Sequence, residues 1–446
     1  MRRFLLSLFA CFLVVATSVR SQQTTAASSA SPLTGHWSLT TDFWGTPLYL
    51  RLELQDDSGK LTGKFDGDKL EGTFTAGTGA VHFLAKQDDG STNECTATLK
   101  DGVLTGQIVG TDADNPQHPE THAFTGRRVS AARSASPQRH DFVPTKFYRQ
   151  FSALNEPVLH VSPGDTVHTT TVDAGGTDAS GVRRVLGGNP ETGPFYIEGA
   201  QPGDTLAVHL DKVRLNRDWA ISDDDLVPRA VDTEWSVKMK DAGKSVKWHL
   251  DMARGVATLD KPSAGLKNYS VPLRPMLGCV ATAQPPAAAA PGSGDSGGFG
   301  GNMDFNDVVE GTTIYLPVRA PGAMLYVGDG HAAQGDGELN GNALETSMDV
   351  EFTVELISGK RMPAPFLESP TQYTMVGLAG SIDDAFREAT VGMASWLSDK
   401  YGLTPTEVAE LLGTAAEYHV NEVADRNAGV VLKINKKLLA NLTPAK

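Results

Sequence analysis

Glycine and proline set the first limit on this chain: with 46 glycines and 25 prolines in 446 residues, turns must be frequent and long helices rare. Between these breakers, apolar residues tend to alternate with polar ones, the period of a half-buried strand. Aromatics make up only 7% of the residues, and the reading is a mainly β chain, long enough for more than one domain. The formal net charge of −14 opposes phosphate backbones and anionic lipid surfaces, so no nucleic-acid partner is expected.

The start of the chain follows a separate logic. Arg2 and Arg3 precede the apolar run from Phe4 to Thr17, the pattern of a signal peptide over residues 1–21. That run is too short to span a bilayer, so export to the periplasm or medium is expected, with no transmembrane segment. Residues 22–32, rich in Ser, Thr and Ala, read as a disordered tether. Beyond the leader only Cys95 and Cys279 remain, in different candidate domains, which rules out a disulfide framework and a cysteine zinc site.

From Leu33 to Arg128 one theme repeats. Short alternating runs, such as Leu48 to Leu54, Lys60 to Phe65 and Val103 to Ile108, are separated by Asp57-Ser58-Gly59, Asp66-Gly67-Asp68 and Asp101-Gly102. This is a β-meander accessory domain over 33–128, barrel-like, and its Gly35-x-Trp37 opening resembles lipocalin-like small barrels. Residues 129–138 lose the alternation and read as a linker.

The second domain, 139–446, holds strand-like runs at Val158 to Val161, Thr166 to Val172, Thr205 to Leu210, Thr312 to Val318, Ala323 to Tyr326 and Met348 to Leu356. Gln284 to Gly301, with its Ala, Pro and Gly tract, reads as a long mobile loop. After Ser369 the period changes. Ser381 and Thr404-Pro405-Thr406-Glu407 are helix starts before apolar stripes, Gly429 reads as the stop of a further helical stretch, and Val430 to Ile434 as a closing strand. Sheet followed by helices gives an α+β class.

Three polar clusters stand out. In Gly328-Asp329-Gly330-His331-Ala-Ala-Gln334-Gly335-Asp336-Gly337-Glu338 an apolar run empties into glycines, and Asp329 and His331, two apart, share a face in an extended chain. A carboxylate and an imidazole so placed can grip a divalent cation, zinc or calcium, and the glycines let Asp336 or Glu338 fold back onto it. A surface Asp-Gly turn with a solvated histidine would give the same pattern. In Gly297 to Asp304, the amides of Gly300 and Gly301 form a candidate oxyanion nest, beside Asn302 and Asp304, although linker glycine reads the same way. In Glu191 to Asp204, Glu198 ends an apolar strand where partial burial would make it a general base; Asp173, at another strand end, is a further acidic candidate.

The stretches Phe195 to Asp204, Gly300 to Asp304 and Gly328 to Glu338, in that order, resemble three signature stretches of the acetamidase/formamidase family, with the likeness running from about His140 to Leu439. The resemblance implies a β-sandwich fold with helical additions, hydrolysis of short aliphatic amides to acid and ammonia, and a homo-oligomer. It places the family's acidic and histidine positions on Glu198, Asp304, Asp329, His331, Asp336 and Glu338. The expected chemistry is metal-assisted: Asp304, Asp329 and His331 as metal ligands, Glu198, Glu338 and Asp336 as catalytic carboxylates, and Gly300, Gly301 and Asn302 facing the substrate and oxyanion. The rival is a non-catalytic exported β-rich binding protein with a structural metal site. The leader and the 33–128 module depart from the family pattern.

Overall fold

The computed structural model describes residues 31–129, 136–286 and 289–445. The signal peptide, most of the tether and residues 130–135 of the linker lie outside the described residues.

The alternation of the first module closes on itself. Strands Gly35–Phe43, Thr46–Asp57, Lys60–Phe65, Asp68–Thr75, Ala80–Lys86, Thr92–Lys100, Val103–Thr111 and Glu120–Arg128 form an antiparallel closed barrel, the first pairing with the last. Inward positions carry Trp37, Leu39, Leu52, Leu54, Leu61, Phe65 and Phe83, all buried, so the barrel is filled by its own side chains. Closure removes the exposed edges that an open meander would present.

The remaining chain builds two large sheets. One is 11-stranded and is centred on Leu325–His331, flanked by Met276–Ala281 on one side and by Glu345–Thr346 and Thr192–Ile197 on the other. The other is 9-stranded, with Thr205–Leu215 paired along its length to Met348–Ile357. They share one apolar core, in which Leu277, Val280, Leu325 and Val327 of the first meet Val208, Leu210, Val350 and Phe352 of the second. Leu325–His331 is buried at every position, as expected of a strand covered on both faces.

Helices Ile382–Tyr401 and Pro405–Ala415 begin where the sequence places them, with Ser381 accepting from Asp384 N and Thr404 closing a capping box with Glu407. The first packs Ala389, Met393, Trp396 and Leu397 onto the second sheet. Three sequence expectations are corrected. The expected helix before Gly429 is instead the strand Glu417–Glu422, and Gly429 lies inside Ala428–Asn435, where any Cβ would meet the Asn421 side chain. In place of a loose loop, Ser296–Gly297 and Gly300–Asn302 pair as a hairpin over the buried Phe299. The strand read as ending at Tyr326 runs on to His331, because its glycines admit neighbours that a side chain would exclude: a Cβ on Gly328 would lie 2.1 Å from Glu191 Oε2.

Barrel and sandwich are joined by an ion pair between half-buried Arg51 and buried Asp204, Nη1 to Oδ1 at 2.7 Å, with Asp204 also accepting from the amides of Gln201 and Gly359.

Candidate metal centre

Register and short side chains bring the acidic residues together. His331 is the cross-strand partner of Glu345, so the two side chains leave the sheet on the same side, and His331 Nε2 lies 3.0 Å from Glu345 Oε1. Asp329, two residues back on the same strand, places Oδ1 3.4 Å from Nε2. Asp304 follows the strand Gly300–Asn302 and brings Oδ1 to 3.9 Å from the same nitrogen. Glu338 enters from the next loop: Asp304, His331 and Glu338 have ligand atoms within 4.8 Å of one another, as do Asp329, His331 and Glu345. Gly278 lies behind two of these carboxylates; a Cβ there would be 2.4 Å from both Asp304 Oδ1 and Asp329 Oδ2.

Backbone conformation marks the same residues. Asp304, Asp329 and Glu338 have φ of 39°, 52° and 46°, in the left-handed region that side chains disfavour. Such conformations concentrate where surrounding structure holds a residue for a purpose.

Buried acids this close must be neutralised by protons or by a cation. Burial, reinforced by Glu338 and Asp329, holds the Asp304 carboxyl well above its usual range, and burial does the same to Glu338. Glu345 is pushed to about 8 by burial, although His331 beside it pulls the other way. Glu191, fully enclosed, is raised by burial and by Asp329. For His331 burial opposes the cation, but Glu345 and Asp329 outweigh it and raise the imidazole well above its ordinary value. Burial raises the Cys279 thiol far above its range, so a thiolate nucleophile has no support.

The donor set fits a divalent cation. Asp304 Oδ1, Asp329 Oδ1, His331 Nε2 and Glu345 Oε2 are buried and make no hydrogen bond, four orphaned ligand atoms spread over two three-residue groups that share His331. The other face of the imidazole is tied down: Nδ1 lies 2.8 Å from Gln334 Oε1, while Gln334 Nε2 donates to the carbonyls of Asp304 and Asn421 at 2.5 and 3.3 Å. Two carbonyls on the nitrogen side leave the Gln334 oxygen to accept, so Nδ1 carries a proton and Nε2 faces the carboxylates, where it holds a second proton or would give its lone pair to a bound cation.

Of the residues singled out from sequence, Asp304, Asp329, His331 and Glu338 converge. Asn302 stands beside them, its Nδ2 donating to Asp304 Oδ2 and Asp425 Oδ2, each at 2.7 Å. The others do not fit the expectation. Glu198 is exposed and faces His160 Nδ1 at 2.7 Å, because its strand turns outward at Gly199, so the partial burial expected of a base is absent. Asp336 points outward and holds Asn306 and His419 at 2.8 and 2.9 Å. Gly300 and Gly301 are paired to strands on both sides, so their amides serve the sheet, and glycine is needed because a Cβ would come within 2.2 Å of Val280 O or 2.3 Å of Asp295 O. Asp173 instead pairs with the buried Arg217 at 2.7 Å.

The sequence reading missed Glu345, Glu191, Gln334 and Asp425. Glu345 has no local signal, since only the strand register sets it opposite His331. Half-buried Asn189 reaches Asn302 Oδ1 at 3.0 Å and Asp329 Oδ2 at 3.4 Å, and with Asp425 it marks the approach to the centre.

Fold and site together define a class: β-sandwich proteins with a buried carboxylate–imidazole centre built on a central strand. Within that class, residues 281–436 match the model of the Acetamidase/Formamidase family, a span that contains two of the three motifs, Gly300 to Asp304 and Gly328 to Glu338. A formamidase of Methylophilus methylotrophus is 26% identical over 298 residues, 52% of this chain and 72% of its own length. For another relative, a Schizosaccharomyces pombe protein bearing a formamidase name, 26% identity spans 33% of this chain and about half (47%) of that protein. A solved acetamidase of Yersinia enterocolitica superposes with a TM-score of 0.60 at 26% identity, over 69% of this chain and 95% of that one.

Proposed function

We propose that this chain hydrolyses short aliphatic amides, of the formamide and acetamide kind, to carboxylate and ammonia, with a divalent cation, zinc or calcium, in the buried centre. One observation carries the reading: four orphaned ligand atoms, one of them an imidazole nitrogen whose tautomer is fixed from behind, meet inside a sandwich similar to that of a solved acetamidase.

A bound cation would polarise the amide carbonyl and acidify a water molecule. His331 would hold it with Asp329 and Glu345, while Asp304 and Glu338 form a second group around the same imidazole. Glu338, buried beside His331 with its carboxyl raised above the usual range by burial, is placed to take the water's proton and pass it to the leaving nitrogen. Gln334 holds the Nδ1 side of the ring and so keeps Nε2 aimed inward, where a bound cation would take the place of its proton. Asn302 and Asn189 offer amide groups at the approach, where a small planar amide could be oriented. Burial of Asp304, Asp329, His331, Glu338 and Glu345, none more than 7% exposed, favours a substrate of a few atoms. The leader supports placing this activity outside the cytoplasm, with the barrel as an accessory domain and the sandwich as the catalytic one. Oligomerisation remains part of the proposal.

The test is ammonia release from formamide, acetamide and propionamide, with the protein loaded with zinc or calcium and after chelation. Release that chelator removes and metal restores is expected; no release from any of the three by the loaded protein overturns the reading. Periplasmic fractionation tests the location.

A further inference from the structure

The barrel holds a second cavity, remote in sequence from the acidic centre. At one mouth, the loops 87–91 and 112–119 and the end of the first hairpin enclose a cavity of about 460 Å³. Its wall is polar, with Gln87, Asn93, Asn115 and His118 among its side chains, and Phe43 and His122 line one side.

The hairpin tip is built in an unusual way. Phe43 pairs with Thr46, leaving a two-residue turn of Trp44 and Gly45 with φ of 52° and 87°. Turns of this hand favour Asn-Gly, and a tryptophan in the left-handed region costs on the order of 1–2 kcal/mol. Nothing in the core recovers that cost, since Trp44 is 72% exposed and Phe43 is 39% exposed. The rings form a stepped shelf at the cavity's edge instead: Phe43, which lines the cavity, stacks on His122 with centroids 4.7 Å apart at 28°, and Trp44, just outside the lining, stands 4.5 Å from Phe43 and tilted by 54°.

His122 supplies the second observation. Its Nδ1 lies 3.1 Å from the Asp42 carbonyl, which fixes the proton on that side. Its Nε2 is buried, makes no hydrogen bond, and lies 3.6 Å from Glu120 Oε2. Two acceptors at that spacing suit two adjacent hydroxyl donors. The acids of the cavity are held in place by the protein's own groups, and their charge disfavours an anionic ligand. Asp89 and Asp112 each accept a backbone amide of their own loop at 2.8 Å, and Glu120 faces His122.

We propose that this mouth is a carbohydrate-binding site: a sugar ring lies on the Trp44–Phe43 shelf through its C–H face, and a vicinal diol donates to His122 Nε2 and Glu120. The aromatic rings supply area at little entropic cost, and the amide and imidazole groups fix orientation. The site is independent of the amide-hydrolysing reading.

The experiment is calorimetric titration of the full, metal-loaded chain with cellotetraose, chitotetraose and mannotetraose, and in parallel with phosphatidylglycerol vesicles. Saturable binding of at least one tetrasaccharide is expected, weakened at least ~10-fold by Trp44→Asn, a loss of about 1.4 kcal/mol. Asparagine suits the left-handed turn, so this variant should fold at least as well as the parent, and His122→Ala should weaken binding comparably. Amide hydrolysis should be unchanged in both. No saturable binding of any tetrasaccharide at millimolar concentration, binding indifferent to both substitutions, or binding to vesicles alone would each overturn the proposal.

Discussion

Gln334 Oε1 accepts from His331 Nδ1 at 2.8 Å, and this bond decides which imidazole nitrogen faces the acidic residues. Gln334→Ala frees the ring to exchange tautomers and rotate. Groups that orient a ligating histidine from behind are worth about 10–100-fold in metal affinity or activity. A loss in that range is expected by metal titration, with melting little changed in the loaded protein. Unaltered affinity would remove the role assigned to Gln334.

Gly278 is the space into which two carboxylates lean. A methyl group there would lie 2.4 Å from both Asp304 Oδ1 and Asp329 Oδ2, so Gly278→Ala must drive them apart. Misplacement by about 1 Å costs ~100-fold in turnover, and kcat/KM for acetamide should fall by at least that much. Near-parental turnover would show that the two carboxylates need not meet.

Proton linkage gives a third test. The Glu345 carboxyl moves from its usual 4.5 to about 8 on folding, and Glu422, buried near Asp425, moves likewise to about 8. Both groups bind protons more tightly in the folded chain, so between these pH values the folded state carries more protons than the unfolded. Their contribution to the stability of the metal-stripped protein is therefore fully present below about pH 4.5 and declines as pH rises towards about 8. A bound cation replaces the proton at Glu345 and should restore part of the loss. Melting temperatures at pH 5 and pH 8, with chelator and with zinc or calcium, check this; a chelated protein equally stable at both would contradict it.

Two glutamates give opposite expectations. Glu198 is exposed beside His160, so Glu198→Gln should leave turnover within about 2-fold, as surface changes usually do. Glu345 faces His331 Nε2 at 3.0 Å, and Glu345→Gln should abolish metal retention and activity together. Measuring both variants on one substrate separates a buried centre from one that includes Glu198.

The barrel was legible because its signal is local. Leu52 and Leu54 alternate with polar neighbours, and Asp66-Gly67 and Asp101-Gly102 turn the chain where the structure turns it. Asp304, Asp329, His331 and Glu338 were legible because the glycines that let them crowd stand beside them in sequence. Glu345 and Glu191 were not, since cross-strand register and close packing against Gly328 place them, and neither leaves a mark in spacing. The same blindness made Gly328-Asp329-Gly330 look like a turn, when those glycines serve a strand covered on both sides.

Asp304, Asp329 and Glu338 sit in backbone geometry that glycine would occupy at less cost. Drift to glycine at these positions would relax the chain while deleting a ligand. Stability and chemistry therefore pull in opposite directions at all three. A homologue that has kept the sandwich but lost its reaction should show glycine there first, and restoring the acids to it would be expected to lower its melting temperature before any turnover returned.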